Sequence, residues 1–573
     1  DIWLPLRAGT DALMTFGWLK VIVDEELYDK DFVQNWTVGF EEFVHRLNEY
    51  PLSRVAEVTG VDEELIRSAA RMYATAGPAT IPWSPITDQQ VSSTSAIRLQ
   101  CILRAITGNI DVKGGDRFIG FNPSVRSASE IERHDLLSEK QKSKQLGSQE
   151  FPVFTYRGME ALGDATEKVW GIRYANLVNG CYMANPMAVF RAMADSDPYP
   201  VKAFFAMANN ALMAYANTDR VYKALMNQEL IVSFEHAMTP TADISDYVLP
   251  GDSWLERPSM QQGISEQAID PPGECKNVAT FWHMLASRMG LEDVFPWKTQ
   301  EELINYALEP SGMTWDQVVA SGRMPNLYRG QAEFQDERKY LKTGFATPSG
   351  KVELYSKTLE DLGFDPLPYY REAAEPTAEL PLRMFIGLPD DEYFRTGMRH
   401  VPELRQRAPS QSFFMSPEDA EALSLSDGNW ARVKTKVGGV MGRVYTRTSM
   451  PKGLVRVPHG WWMPESERGL EKMAGMWDFC DARITTDDDP ELIDIEQGIP
   501  HMKGVPCAVE KLDPEQVERL EREYSEANEL MRGPEGKMLK SKSKSDDFMF
   551  DDFTGDGLEF EAVELSLYGR NTK

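Results

Sequence analysis

Arg7-Ala8-Gly9-Thr10-Asp11 is the first stretch of the chain able to do chemistry. An apolar run, Ile2 to Leu6, leads into it and a helical pattern follows. The spacing therefore predicts the C-terminal end of a strand meeting a helix N-terminus. Unpaired N–H groups and the positive end of the helix dipole suit an anion at such a point. Gly9 would let a ligand approach the backbone. Asp11 could accept from an amidine-like edge such as guanine N1 and N2. An ordinary turn with Thr10 or Asp11 as N-cap would use the same residues.

Three more polar clusters stand where strands are expected to end. Thr87-Asp88-Gln89-Gln90 follows Ala79–Trp83 and suits a heterocycle rich in donors and acceptors, or caps the next helix. Asn209-Asn210 follows the run from Val201 to Met207, where asparagine could hold a ribose or phosphate or make a simple turn. Ser233-Phe234 closes the next run. Each cluster alone says little. Four on one sheet edge say more, because open α/β sheets bind ligands at the carboxyl ends of their strands.

Stepping outward, residues 1–120 alternate strand and helix signals. Helices are expected over Ala12–Glu26, from Asp62 to Thr75, and from Ser93 to a stop at Gly108-Asn109. That rhythm implies a parallel, doubly wound sheet. It resumes with strands over 201–207, 230–234 and 247–250 and a helix over Thr218–Met226, and Val278–Met289 makes a further helix. From Pro381 the grammar changes to short strands punctuated by Asp427-Gly428, Gly438-Gly439 and Pro451-Lys452-Gly453, which predicts a compact β-barrel. Ser416-Pro417-Glu418-Asp419 opens a short helix within it. His459 ends a barrel strand beside Gly460, where it either packs or touches a ligand. We divide the chain at 1–120 and 121–380 (two α/β regions), 381–512 (barrel) and 513–573. The last is an acidic tail, part helix over Glu515–Met531 and mostly disordered.

Composition excludes several classes. A net charge of −28 repels phosphate backbones, so nucleic acid is not an expected partner. No apolar run reaches the ~18 residues of a membrane helix. The five cysteines are dispersed and form no C-x-x-C pair, which fits a reducing, cytoplasmic setting and neither a disulfide framework nor an iron–sulfur set. Cys101 reads as a buried apolar residue. No phosphate loop, dinucleotide fingerprint, H-E-x-x-H or nucleophile elbow occurs.

The stretches DIWLPLRAGTDALM, EELYDKDFV, ILRAITGNIDVKGG, MTPTADISDYVLPGDSWLE and ATPSGKVELYS, and the barrel from MSPEDAEALSLSDGNWARV to VPHGWW, resemble the molybdopterin oxidoreductases of the dimethyl sulfoxide reductase superfamily. The resemblance runs in order from residue 1 to about 512. EYPLSRVAEVTG, SAIRLQCILRAI, YPVKAFFAMANNALMAYAN and DPLPYYRE are most similar to the acetylene hydratase branch.

The resemblance implies a bis-molybdopterin guanine dinucleotide cofactor with molybdenum or tungsten, and a barrel of the double-psi type. By position, Arg7, Gly9, Thr10 and Asp11 would meet one guanosine end, and Thr87, Asp88 and Gln89 would line a pterin. Asn209, Asn210, Ser233 and Phe234 would hold the second nucleotide. Gly387, Leu388, Arg395, His459 and Lys503 would close over the pterins from the barrel. Pro389 stands where members often carry an arginine, for which Asp390 and Arg395 could compensate. Val278 stands where many have an acid. In such proteins the iron–sulfur segment, expected to hold a [4Fe-4S] cluster, and the metal-ligating residue precede the strand that opens this chain. No metal ligand or catalytic residue is therefore assigned, and the chain reads as the C-terminal part of a catalytic subunit. Any export leader would also lie upstream.

The expected activity is an oxidoreductase acting on a small organic substrate, with an iron–sulfur electron-transfer subunit as a partner. Its alternatives are a non-redox hydratase, a reductive aromatic dehydroxylase, or a non-catalytic fragment that binds a cofactor or partner. Such a portion should expose more apolar surface than a whole monomer.

Overall fold

The computed structural model describes all residues except 118–123, 172, 174–182, 261–262, 323–336, 388, 465, 467–469 and 526–573. Leu388 and the tail beyond residue 525, including the second half of the helix expected over 515–531, lie outside the described residues.

The first region is built on a helix, not a sheet. Helix α1 (Asp11–Asp24) buries Leu13, Phe16, Leu19 and Ile22 on several faces, which makes it the axis of a core. Around it pack α2 (Glu63–Thr75), capped by Asp62 accepting from the Glu64 N–H, and α4 (Ser93–Ile106). The short helix α3 (Pro85–Asp88) lies between them in sequence. Val55, Ile66, Leu99 and Leu103 complete the core.

The strands expected over Ile2–Leu6 and Ala79–Trp83 are not formed. Pro5 and Pro82 interrupt the donor row that a ladder needs. Leu6 N–H turns back to the Leu4 carbonyl at 2.8 Å. Side chains satisfy the second segment: Asn109 accepts from the Ala79 N–H at 2.8 Å and Arg104 donates to the Ile81 carbonyl at 2.6 Å. Leu4, Leu6 and Ile81 still pack on the α1 core, so the apolar pattern was a burial signal, not a pairing signal. Among the described residues up to 117 the one ladder is Thr37–Val38, which pairs with Val352–Glu353.

The second region does hold a parallel sheet. Strands β1 (Ala203–Met207), β2 (Leu230–Glu235) and β3 (Tyr247–Pro250) lie side by side in that order. Helix α5 (Thr218–Met226) covers one face through Val221 and Leu225, and α6 (Val278–Arg288) sets Phe281 against Phe234 at 5.6 Å between ring centroids.

The third region is a closed six-stranded barrel. Its strands are β4 (Leu382–Gly387), β5 (Ser412–Met415), β6 (Trp430–Lys434), β7 (Gly439–Thr446), β8 (Leu454–Pro458) and β9 (Lys503–Lys511). They run β8-β4-β9-β6-β7-β5, and β5 closes on β8 through Arg456 and Phe414. Met384, Ile386, Phe413, Val433, Val444, Val455 and Val505 fill the interior. Helix α7 (Pro417–Ala422) starts at Ser416, whose hydroxyl accepts from the Asp419 N–H.

The barrel is tied to both other regions. Asp494, fully buried, accepts from the Ser93 and Thr94 hydroxyls and the Thr94 N–H at the start of α4. On the other side Arg220 pairs with Asp487 and Asp488, and Met473, Met476 and Cys480 join the core beneath α5. No helix of the described residues is long and apolar enough to cross a membrane. Trp3, Trp83, Tyr247, Trp254 and Phe394 are exposed.

Candidate functional site

The Arg7–Asp11 turn meets the barrel. Gly9 has φ of 87°, and a Cβ built on it would stand 2.7 Å from the Lys503 carbonyl oxygen. From the barrel side, Gly504 has φ of 100° and its Cβ would stand 2.6 Å from the Ala8 carbonyl oxygen. Glycine is required on both chains because two backbones touch. The expectation that Gly9 leaves room for a ligand is thus corrected: the Lys503 backbone takes that room. Arg7 is exposed and its N–H donates to the Thr59 carbonyl at 2.8 Å. Thr10 closes the turn by donating to the Arg7 carbonyl at 2.6 Å.

Asp11 follows, as the first residue of α1. Gln90 donates to its Oδ2 at 2.7 Å, and burial raises its carboxyl above the ordinary range despite that bond. Thr87 is buried, and Asp88, raised by burial, accepts from the Trp83 indole N–H at 3.2 Å. Both lie on α3, not in a loop. The Gln89 carbonyl accepts from the Met502 N–H at 3.0 Å, so this cluster and the first converge on the start of β9.

Lys503 is buried there. Its ammonium donates to the Ile386 carbonyl, next to Gly387, and burial pulls its pKa down to about 8. Gly387 pairs with Pro458 across β4 and β8, and His459 follows directly. The His459 Nδ1 meets the Asp481 Oδ2 at 2.8 Å while the Gly460 N–H donates to Oδ1 at 2.7 Å. Asp481 also acts favourably on the Lys503 charge. Arg399, fully buried between Tyr393 and Trp461, donates to the His459 carbonyl at 3.0 Å and the Arg395 carbonyl at 2.7 Å. That bracket fixes Arg395, whose φ is 52° and whose side chain is exposed. Asp390 is buried below, 3.5 Å from Arg456, with Oδ2 unpartnered among the described residues and its carboxyl raised by burial.

The sheet-edge cluster is joined through Cys480. Asn210 is buried, and its Oδ1 accepts from the Thr241 hydroxyl at 2.8 Å, but its Nδ2 has no partner among the described residues. Asn209 donates to the Tyr215 hydroxyl at 3.2 Å. The turn after them touches Cys480 through the Leu212 carbonyl at 3.8 Å, and Cys480 precedes Asp481. Ser233 is fully buried and shares a 2.6 Å hydrogen bond with Ser245, and Phe234 packs inward.

Sequence reasoning passed over Gln90 as a site residue and gave no role to Arg399, Asp481 or His501. Gln90 stood in the polar run already noted. Asp481 and Arg399 meet His459 only through the barrel fold, so no local spacing marks them. Cys101, expected buried, is exposed on α4 between Arg98 and Arg104, on the stripe that faces away from the α1 core.

Residues 1–288 match the profile "Molybdopterin oxidoreductase" and residues 384–479 match "Molydopterin dinucleotide binding domain". The chain is 46% identical to acetylene hydratase of Syntrophotalea acetylenica over 88% of its own length and 70% of that protein's. It is 25% identical to the dimethyl sulfoxide reductase DmsA of Haemophilus influenzae over 82% of its own length and 62% of that protein's. It therefore spans less than two thirds of DmsA. The solved acetylene hydratase from Pelobacter acetylenicus superposes with a TM-score of 0.84 at 44% identity, covering 89% of this chain and 72% of that one. The profile spanning half the chain and the hydratase match at this coverage agree: the chain belongs to the molybdopterin oxidoreductase family of dimethyl sulfoxide reductase type.

Proposed function

We propose that this chain is the dinucleotide-binding part of a molybdenum or tungsten enzyme that acts on a small organic molecule. The observation that carries the reading is the convergence on the barrel residue Lys503 of the Asp11 turn and α3, which lie within one molybdopterin profile match, and of His459, which lies within the other.

The residues present fit the group chemically. Asp11 offers a carboxylate acceptor for a guanine edge. Asn210 offers a buried donor with no partner among the described residues, the kind of orphan that a ligand satisfies. Lys503 and Arg395 offer cations, and His459 a ring held by one nitrogen. When bound, the group supplies a metal centre that exchanges oxygen or hydroxyl with the substrate. The protein residues orient it, keep water from its nucleotide ends and place positive charge beside its phosphates. His459 is fixed by Asp481 at Nδ1, so proton exchange there is confined to Nε2.

A second reading has its own support. The 46% identity to acetylene hydratase favours addition of water to a triple bond over a redox step. Incubation of the metal-loaded protein with acetylene, with and without an electron donor, separates the two. Donor-independent aldehyde supports hydration. Turnover only with a donor supports oxidoreduction, and an iron–sulfur partner subunit would then be required.

A further inference from the structure

We propose that the barrel carries a second, separate binding site, centred on His501, for a small carboxylate with a short apolar body. His501 is 2% exposed, and neither ring nitrogen has a hydrogen-bond partner among the described residues. A buried imidazole left in that state keeps the full cost of its lost hydration. The ring lines a cavity of about 130 Å³ between the 374–380 segment, the Thr435–Val437 turn, Ile484–Thr486 and β9.

The surroundings of the ring select the ligand. Burial, with the positive charges of Arg383, Lys503 and Arg371 outside the cavity lining, holds the His501 pKa down to about 4. The imidazole is therefore neutral at pH 7 and presents one N–H donor in a field that favours an anion. Two hydroxyls add to it. Thr377 and Thr486 accept from the Leu380 and Asp488 N–H groups, and neither hydroxyl donates to a described group. The carboxylate at the rim, Glu375, is already engaged by Arg383 at 2.6 Å, and Lys436 by Asp489. Leu380, Val437, Leu492, Val505 and Pro506 make the rest apolar. A carboxylate end on the donors and one or two carbons on the apolar wall match this arrangement. The remaining ring nitrogen suits an ordered water. The volume is below the ~300 Å³ of the smallest usual cofactor pockets, so neither a pterin nor a nucleotide fits.

The site lies behind the Asp11 turn, since His501 Cε1 is the second nearest atom to a Cβ built on Gly9, at 3.4 Å.

Titration calorimetry of the full chain with formate, acetate, propionate, butyrate and inorganic phosphate tests the proposal. Acetate or propionate should bind saturably, one per chain, and more tightly than formate or phosphate. His501→Leu should weaken that binding at least about tenfold, and His501→Asn, which keeps a donor, should weaken it less. Should His501→Leu fail to fold, Thr486→Val must weaken binding several-fold. Absence of saturable carboxylate binding, a preference for phosphate, or equal binding in His501→Leu and Thr486→Val would overturn the site.

Discussion

The seam between the Arg7–Asp11 turn and the barrel differs from the sheet edge that carries Asn209 and Asn210. At the seam the groups that join turn and barrel are answered within the protein: Asp11 by Gln90, Gln89 by Met502, Lys503 by Ile386, His459 by Asp481, with His501 behind the turn the exception. At the sheet edge one buried amide, Asn210 Nδ2, is left over. The first is preorganised by close backbone contact and so governs stability. The second holds an unspent donor and so governs what is retained. Both kinds of residue look alike as sequence, a polar turn after an apolar run.

The largest effect should come from breaking the seam. Gly9→Ala and Gly504→Ala each combine a left-handed backbone with a carbonyl under 3 Å away, and should destabilise the chain by about 2–4 kcal/mol in urea unfolding. Gly60→Ala, with φ of 75° and open space, isolates the backbone term and should cost only about 1 kcal/mol. Equal losses at all three would remove the close approach from the account.

Next comes the buried acid pair that joins barrel and α4. Burial and Asp494 raise the Glu496 carboxyl to about 7. Between pH 4.5 and about 7 the folded state holds the proton that the unfolded state releases, so stability falls as pH rises through that window and levels off above it. Glu496→Gln should remove this part of the slope and unfold at higher urea than the parent at pH 8. An unchanged difference between parent and variant from pH 5 to 8 would contradict it. Asp494→Ala, which strips three bonds from the start of α4, should destabilise at every pH.

A smaller effect on stability, with a distinct readout, belongs to the sheet edge. Asn210→Ala should cost about 1 kcal/mol and lower the guanine nucleotide retained per chain on purification. The smallest belongs to Arg395→Ala: its exposed side chain predicts a stability change within about 0.5 kcal/mol.

Helix periodicity and capping made α1, α2, α4 and α5 legible from sequence, and turn residues did the same for the barrel strands β6, β7 and β8. What local pattern could not supply was pairing. Ile2–Leu6 and Ala79–Trp83 have strand-like composition, yet their backbones bond to side chains and to themselves. Gly9 shows the same limit within the site. Its positive φ follows from a turn, but the atom that forbids a Cβ belongs to Lys503, at the far end of the sequence. His459 was visible as a polar residue at a strand end, while Asp481, which fixes its ring, becomes its neighbour only when the barrel closes.

Elemental and nucleotide analysis of the protein purified without oxygen tests the central claim most directly. Molybdenum or tungsten together with two guanine nucleotides per chain is the predicted result. A folded, active protein that carries neither metal nor guanine nucleotide would contradict it.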